Sequence, residues 1–451
     1  MRNRLIKLCG RLLPFSFTVA SLFSCSHNVS TPDDCKYLSA FQRQYEGIRA
    51  EPLYKDSLAL YVDYSTCMAM GQNSGFFNAL VPSFVDATKK YYSLKGSTIA
   101  EEQGSTFELL RTITEVNYAD LKSAIDRMAS GNGESVLLTD GEFYQQNIAK
   151  GNINNPYMAG AFKKWLLRGH DIYIISEPYT EYSGGRPYNK KRFYVLFTDT
   201  RLSGNIYDRI MQTTQLQKFP SVQIFHLAAN HPALFSGNGR HSRVNPLIEA
   251  KVEGFGNYEI QDWQLDWKNG IEPLIVNAVD PRTGNPQPDG DYILKDLRVD
   301  RNSLGAFRIA EIEARVFNIN AAYADFYDAQ TAGTPPSKTL AIDEVSNFIK
   351  LDNKEFSKHG EVSLHFDTQM YDPTCLNGTP YNYLKVDLYV SKIVPIFEQF
   401  ADMFKFDSID VPGEVNVSVA TSIQQCMADP EIQQKVMEQP FYSIYLKTLE
   451  R

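Results

Sequence analysis

The chain has 451 residues, of which 43% are hydrophobic, 22% charged and 12% aromatic. At roughly 100–200 residues per domain this is material for two to four domains with real cores, and it excludes global disorder. A net charge of −8 and a pI near 5.5 exclude a general nucleic-acid binder, because neutralising phosphates needs a basic face.

The chain opens on a basic start, Arg2, Arg4, Lys7 and Arg11, followed by an uncharged, mostly apolar run over 12–23. That run is short of the about 20 apolar residues of a membrane-spanning helix, and it has the order of a secretory leader. Its end, Leu22-Phe23-Ser24-Cys25, resembles the bacterial lipoprotein box, with Leu three places before the Cys and a small residue just before it. The resemblance implies cleavage before Cys25, acylation of that thiol with fatty acid such as palmitate, and a lipid-anchored place in the bacterial cell envelope, at the outer membrane. The other reading is a plain leader with a chance Cys. Residues 1–24 are thus the signal peptide and 25–50 a tether, whose Ser-, Asn-, Thr-, Pro- and Asp-rich start buries nothing. Removing 1–24 takes away four positive charges and no negative one, moving the net charge from −8 to −12. Cys35, Cys67, Cys375 and Cys426 then remain in a disulfide-permissive space, with their pairing open. No CxxC pair exists, so a zinc ribbon or thioredoxin-type centre has no support.

From 51 to 242, short apolar runs alternate with helical patterns. Strands are expected at 58–63, 135–140, 171–176, 192–199 and 221–227. Helices are expected at 76–92, with Phe77, Leu80, Val81, Phe84 and Val85 at helical intervals, and at 118–128, 161–168 and 205–213. This alternation predicts a mainly parallel sheet with helices on both faces and a ligand site at the carboxyl ends of the strands. Two strands end in Asp, at Asp63 and Asp140, so both carboxylates are expected on that rim. The insert 178–190, with Tyr179, Tyr182, Arg186 and Tyr188, is expected to overhang a sheet end as a loop, either recognising a partner surface or simply solvated.

From 243 to 391 the texture changes to period-two alternation, at 258–267, 291–299, 307–317, 361–366 and 381–389, between turn-rich pieces. That pattern suggests a β-sandwich-like domain. Trp263, Trp267 and Phe317 read as core residues rather than a sugar platform. Residues 392–451 read as a helical segment, with helices at 392–404 and 423–437.

Asp63-Tyr64-Ser65-Thr66-Cys67-Met68, directly after a strand, resembles the DxSxS motif of von Willebrand factor A (vWA) domains. Val136-Leu137-Leu138-Thr139-Asp140-Gly141 looks like that family's later strand ending in TDG, and the stretch from Ala119 to Ile125 resembles its TDLAAAL-like helix start. The likeness covers about 56–229 and implies a vWA-like, Rossmann-like α/β fold. It also implies a metal-ion-dependent adhesion site holding Mg²⁺ or another divalent cation on Asp63, Ser65 and Asp140. The site is degenerate: the family's second Ser is Cys67 and its Thr falls on Ala119, with Asn117 nearby. A hard cation wants oxygen ligands and does not favour a thiol. Without a metal, the two carboxylates would cap helix N-termini or pair with Arg.

No GxSxG elbow, P-loop, GxGxxG or HExxH occurs, so no catalytic residue is assigned. His226, His231 and His241 have no metal-site spacing, His170 reads as a helix-end residue, and Glu142, Glu177 and Glu181 are a weak acid set in an acidic chain. The leading expectation is a non-catalytic, membrane-anchored envelope lipoprotein that uses the vWA-like domain to bind a protein partner. A metal-dependent envelope hydrolase and glycan or cell-wall binding by the β-domain are the alternatives.

Overall fold

The computed structural model describes residues 37, 40–41, 53–71, 73–114, 116, 118–143, 153–200 and 202–229, then 234–235, 259–261, 265–266, 270–271, 274–277, 292–302, 304–336, 342–345, 348–351, 353–366 and 383–448. The leader, Cys25, Cys35, Cys375, Asn117, His231 and His241 lie outside the described residues.

The first part contains, in order, β1 (Tyr54–Asp63), α1 (Thr66–Gly71), α2 (Gly75–Val85), β2 (Thr88–Lys95), β3 (Thr98–Glu102), α3 (Thr106–Arg111), α4 (Leu121–Ser130), β4 (Gly133–Thr139), α5 (Ala159–Leu167), β5 (Asp171–Ser183), β6 (Arg186–Thr198), α6 (Ile206–Thr213) and β7 (Gln223–Leu227). The seven strands form one sheet in the order β3-β2-β1-β4-β6-β5-β7. On one face Leu60, Val62, Val136, Leu138 and Tyr194 pack with Phe77, Leu80 and Phe84 of α2 and Ile210 of α6. On the other, Tyr61, Leu137, Ile174 and Val195 pack with Ile125 of α4 and Trp165 of α5. Each fully buried side chain of this size contributes about 1.5–3 kcal/mol of transfer free energy. The helix starts are set locally: Ser74 accepts from the amide of Phe77 at 3.2 Å, and Asp120 from that of Ser123 at 3.0 Å.

Three expectations change here. The sheet is mixed: β1 pairs in parallel with β2 and β4, whereas β2–β3, β4–β6, β5–β6 and β5–β7 are antiparallel. The cause is a tight turn. Gly184 and Gly185 adopt φ of +57° and +76°, which closes β5 onto β6 through a two-residue loop and puts β6 beside β4. The segment 178–190 is therefore not a loop but the outer half of a hairpin with paired strands of 13 residues each. The expected helix over 76–92 stops at Val85, because Tyr91, Tyr92 and Leu94 are drawn into β2 beside β1.

The second part contains β8 (Leu234–Phe235), β9 (Glu259–Gln261), β10 (Leu265–Asp266), β11 (Gly270–Ile271), β12 (Leu274–Asn277), β13 (Tyr292–Asp300), β14 (Phe307–Asn318), α7 (Asn320–Ala332), β15 (Asp343–Val345), β16 (Ile349–Leu351), α8 (Asn353–His359), β17 (Glu361–Phe366), β18 (Tyr383–Pro395), β19 (Phe406–Asp407), β20 (Val415–Asn416), α9 (Ser418–Ala428), α10 (Pro430–Glu438) and β21 (Tyr442–Thr448). The larger sheets run β15-β14-β18-β21-β12-β9 and β16-β17-β13-β8, antiparallel apart from the β12–β21 pair. The expected helix over 392–404 is instead the end of β18 followed by two short 3₁₀ turns, Phe397–Gln399 and Ala401–Phe404. Pairing of β18 with β14 wins over the apolar spacing of that run. The expected helix over 423–437 is two helices, divided where Asp429 caps α10 and Pro430 begins it.

The two parts share one apolar cluster. Phe225 of β7 lies 5.1 Å from Phe400 and 5.3 Å from Phe404, ring centre to ring centre, and Ser176 donates to the Met403 carbonyl at 3.0 Å.

Candidate functional site

Because β1 and β4 are adjacent and parallel, with Val62 opposite Leu138, their carboxyl ends deliver Asp63 and Thr139 side by side, with Asp140 one residue on. Thr139 Oγ1 donates to Asp63 Oδ2 at 2.9 Å, and the Ser65 amide donates to Asp63 Oδ1 at 2.8 Å. Ser65 Oγ donates to Asp140 Oδ2 at 3.5 Å, while Asp140 Oδ1 accepts the Glu142 amide at 2.9 Å. Asp63, Ser65 and Asp140 thus meet, as their motifs imply. All three are buried, Asp63 and Asp140 being only 1% and 2% exposed.

Residues without a sequence signal complete the cluster. Tyr157 donates to the Gly141 carbonyl at 3.3 Å and stacks on Phe143 at 4.8 Å. Lys190, fully buried on β6, pairs with Glu142 and donates to the Asp407 carbonyl at 3.4 Å. Gly141 has φ of +76°, and a Cβ there would lie 2.8 Å from the Phe193 ring and 3.1 Å from Val419 of α9. Helix α9 therefore packs directly against this rim. The Val417 amide donates to the Ile153 carbonyl at 2.6 Å, and Ser422 Oγ accepts from the Met158 amide at 3.2 Å.

Burial raises the Asp63 carboxyl above its ordinary value, against the hydrogen bonds from Ser65 and Thr139 that lower it. Burial also holds the Tyr157 phenol well above its usual range, with the carboxylates of Asp140, Asp63 and Glu142 adding to the effect. The donor set is smaller than the vWA pattern supplies: Asp63, Ser65 and Asp140 carry side-chain oxygens, whereas Cys67 and Ala119 carry none. Among the described residues no group of three His, Cys, Asp or Glu is arranged to hold a metal. The arrangement instead locks two strand ends and the loop after β4 together.

The hairpin overhangs this same edge. Beyond the Thr139–Phe193 pair, the rows from Glu177–Arg192 to Ser183–Arg186 project roughly 20 Å at about 3.3 Å per residue. By strand alternation Tyr179, Arg186 and Tyr188 share one face and Tyr182 takes the other, so the four expected partner residues are split. Arg192 sits 3.9 Å over the Tyr179 ring. Tyr182 is 71% exposed and Arg186 is exposed, whereas Tyr179 and Tyr188 are half-buried.

The remaining chemistry-bearing side chains are tied into structure. Glu177 accepts from Tyr194 at 2.8 Å and pairs with Arg192 at 3.3 Å. At the opposite edge His226 meets Asp171 at 3.0 Å and stacks on Tyr173, and His170 meets Asp199 at 3.1 Å. Cys426 is a free, buried thiol. Comparison with family models, with curated proteins and with solved structures finds no match for this chain.

Proposed function

We propose that this chain is a non-catalytic, lipid-anchored envelope protein whose vWA-like first part binds a protein partner at the carboxyl edge of its sheet. Its second part, β-sandwich-like with C-terminal helices, braces that edge from behind. What supports the reading most is the meeting of Asp63, Ser65 and Asp140 on adjacent parallel strands, which the vWA resemblance requires of residues far apart in sequence. In this reading the rim is a rigid base, held by hydrogen bonds rather than by a cation. The contact surface is the hairpin that projects from it, with Tyr182 and Arg186 as solvent-facing anchors.

The anchor rests on Leu22-Phe23-Ser24-Cys25. Among the described residues no helix is long and apolar enough to cross a membrane. Pull-down from envelope extracts tests the binding reading. Tyr182→Ala with Arg186→Glu should lose a specific partner that the unmodified protein retains. Identical partner profiles would remove the hairpin from the account. Labelling with a fatty-acid analogue tests the anchor: Cys25→Ser should abolish incorporation, and undiminished labelling would end the lipoprotein reading.

A further inference from the structure

A cavity of about 360 Å³ lies between the sheet and the last turn of α4, toward the edge opposite Asp63 and Asp140. Its origin is a row of small residues. Across β2, β1 and β4 the side chains Lys90, Ala59 and Ser135 stand in register, and the next row is Tyr92, Tyr61 and Leu137. Ala59 and Ser135 leave a floor that α4 does not fill.

Two features of the lining point to a ligand. Tyr61 and Tyr92 stack at 4.7 Å and form an apolar, aromatic wall. Lys90 and Arg127 stand exposed at the mouth, and neither pairs with a carboxylate among the described residues; Arg127 lies over the Tyr92 ring and donates to its hydroxyl at 3.2 Å. The carboxylate that lines the cavity, Glu134, accepts from Thr198 and from the Ile206 amide. The carbonyls that end α4 are met by Arg168, which donates to Ala129 at 3.2 Å and to Gly131 at 2.7 Å, so they do not oppose an anion.

We propose that this cavity binds a small aryl carboxylate, its acid group held by Lys90 and Arg127 and its ring against Tyr61 and Tyr92. A single negative charge suits the site, because Glu101 accepts from the Tyr92 hydroxyl at 3.2 Å and Glu134 is close. The site is independent of the vWA-like reading and lies on a different edge.

Phenylacetate is the probe, titrated into the protein and followed by ligand-observed NMR and calorimetry. Saturable binding is expected, weakened at least about tenfold for phenylacetamide, which lacks the charge, and for acetate, which lacks the ring. Lys90→Gln with Arg127→Gln, both exposed, should weaken phenylacetate by a similar factor with the circular dichroism unchanged. Ser135→Val should abolish binding by filling the floor. No saturation by phenylacetate, equal binding of acetate, or full affinity in the Lys90/Arg127 double variant would each overturn the proposal.

Discussion

Asp63 carries an acid that burial raises above its unfolded value of 3.8. Such a group contributes stability that is fully present below the unfolded pKa and is lost as pH rises through the folded one. Asp63→Asn keeps an acceptor for the Ser65 amide and removes the ionisation. The melting temperature of the variant should therefore gain on the parent as pH rises from about 4 upward. A difference that does not vary with pH would contradict the assignment. Lys190 poses the reverse case: Lys190→Met removes the buried cation paired with Glu142 and should cost about 3–5 kcal/mol in chemical denaturation, with most of it recovered in the double variant with Glu142→Gln. At this scale the sequence was legible where strand-end motifs spoke, at Asp63, Ser65 and Asp140, and the Thr139 partner sat in the same LLTDG run. It was silent on Lys190 and Tyr157. A lysine in the polar run Asn189-Lys190-Lys191-Arg192 reads as surface, and only the pairing of β6 buries it.

Among the elements, the hairpin depends on its turn. Gly184 and Gly185 both lie at positive φ, so Gly185→Val should fray the tip and cost about 1–2 kcal/mol, read as faster amide exchange over 180–189 with exchange in β1 and β4 unchanged. Gly141→Ala acts on the rim: positive φ and a Cβ 2.8 Å from Phe193 predict a loss of about 1–3 kcal/mol. Five of the seven strands of the first part are legible as apolar runs, and α4 as a helical pattern over 118–128, whereas β2 reads as the end of a helix and β3 gives no signal. Where the reading missed, tertiary pairing overrode a local pattern. Ile393, Ile396, Phe397, Phe400 and Phe404 are spaced as on a helix, yet β14 takes the first of them into a strand, and two short 3₁₀ turns with the residue between them set Phe397, Phe400 and Phe404 against Phe225. The mainly parallel order holds only around β1, for a different reason: the Gly-Gly pair is visible in the sequence, but there its turn reads as the middle of a loop, which hides that β5 and β6 are one hairpin.

For the whole molecule, the shared apolar cluster predicts that the two parts support each other. Phe404 is fully buried between Phe193, at 6.3 Å, and Phe225, at 5.3 Å, so Phe404→Ala should cost about 3–5 kcal/mol in overall stability. A loss under about 1 kcal/mol would mean that the second part does not brace the sheet. The proposed partner surface is tested most directly in intact cells, with a photo-reactive amino acid placed at Tyr182 on the hairpin tip and, in parallel, at Met211, an exposed position on α6. The account predicts a discrete crosslinked protein from Tyr182, lost when Arg186→Glu is added, and none from Met211. The same products from both positions, or none from Tyr182, would contradict it.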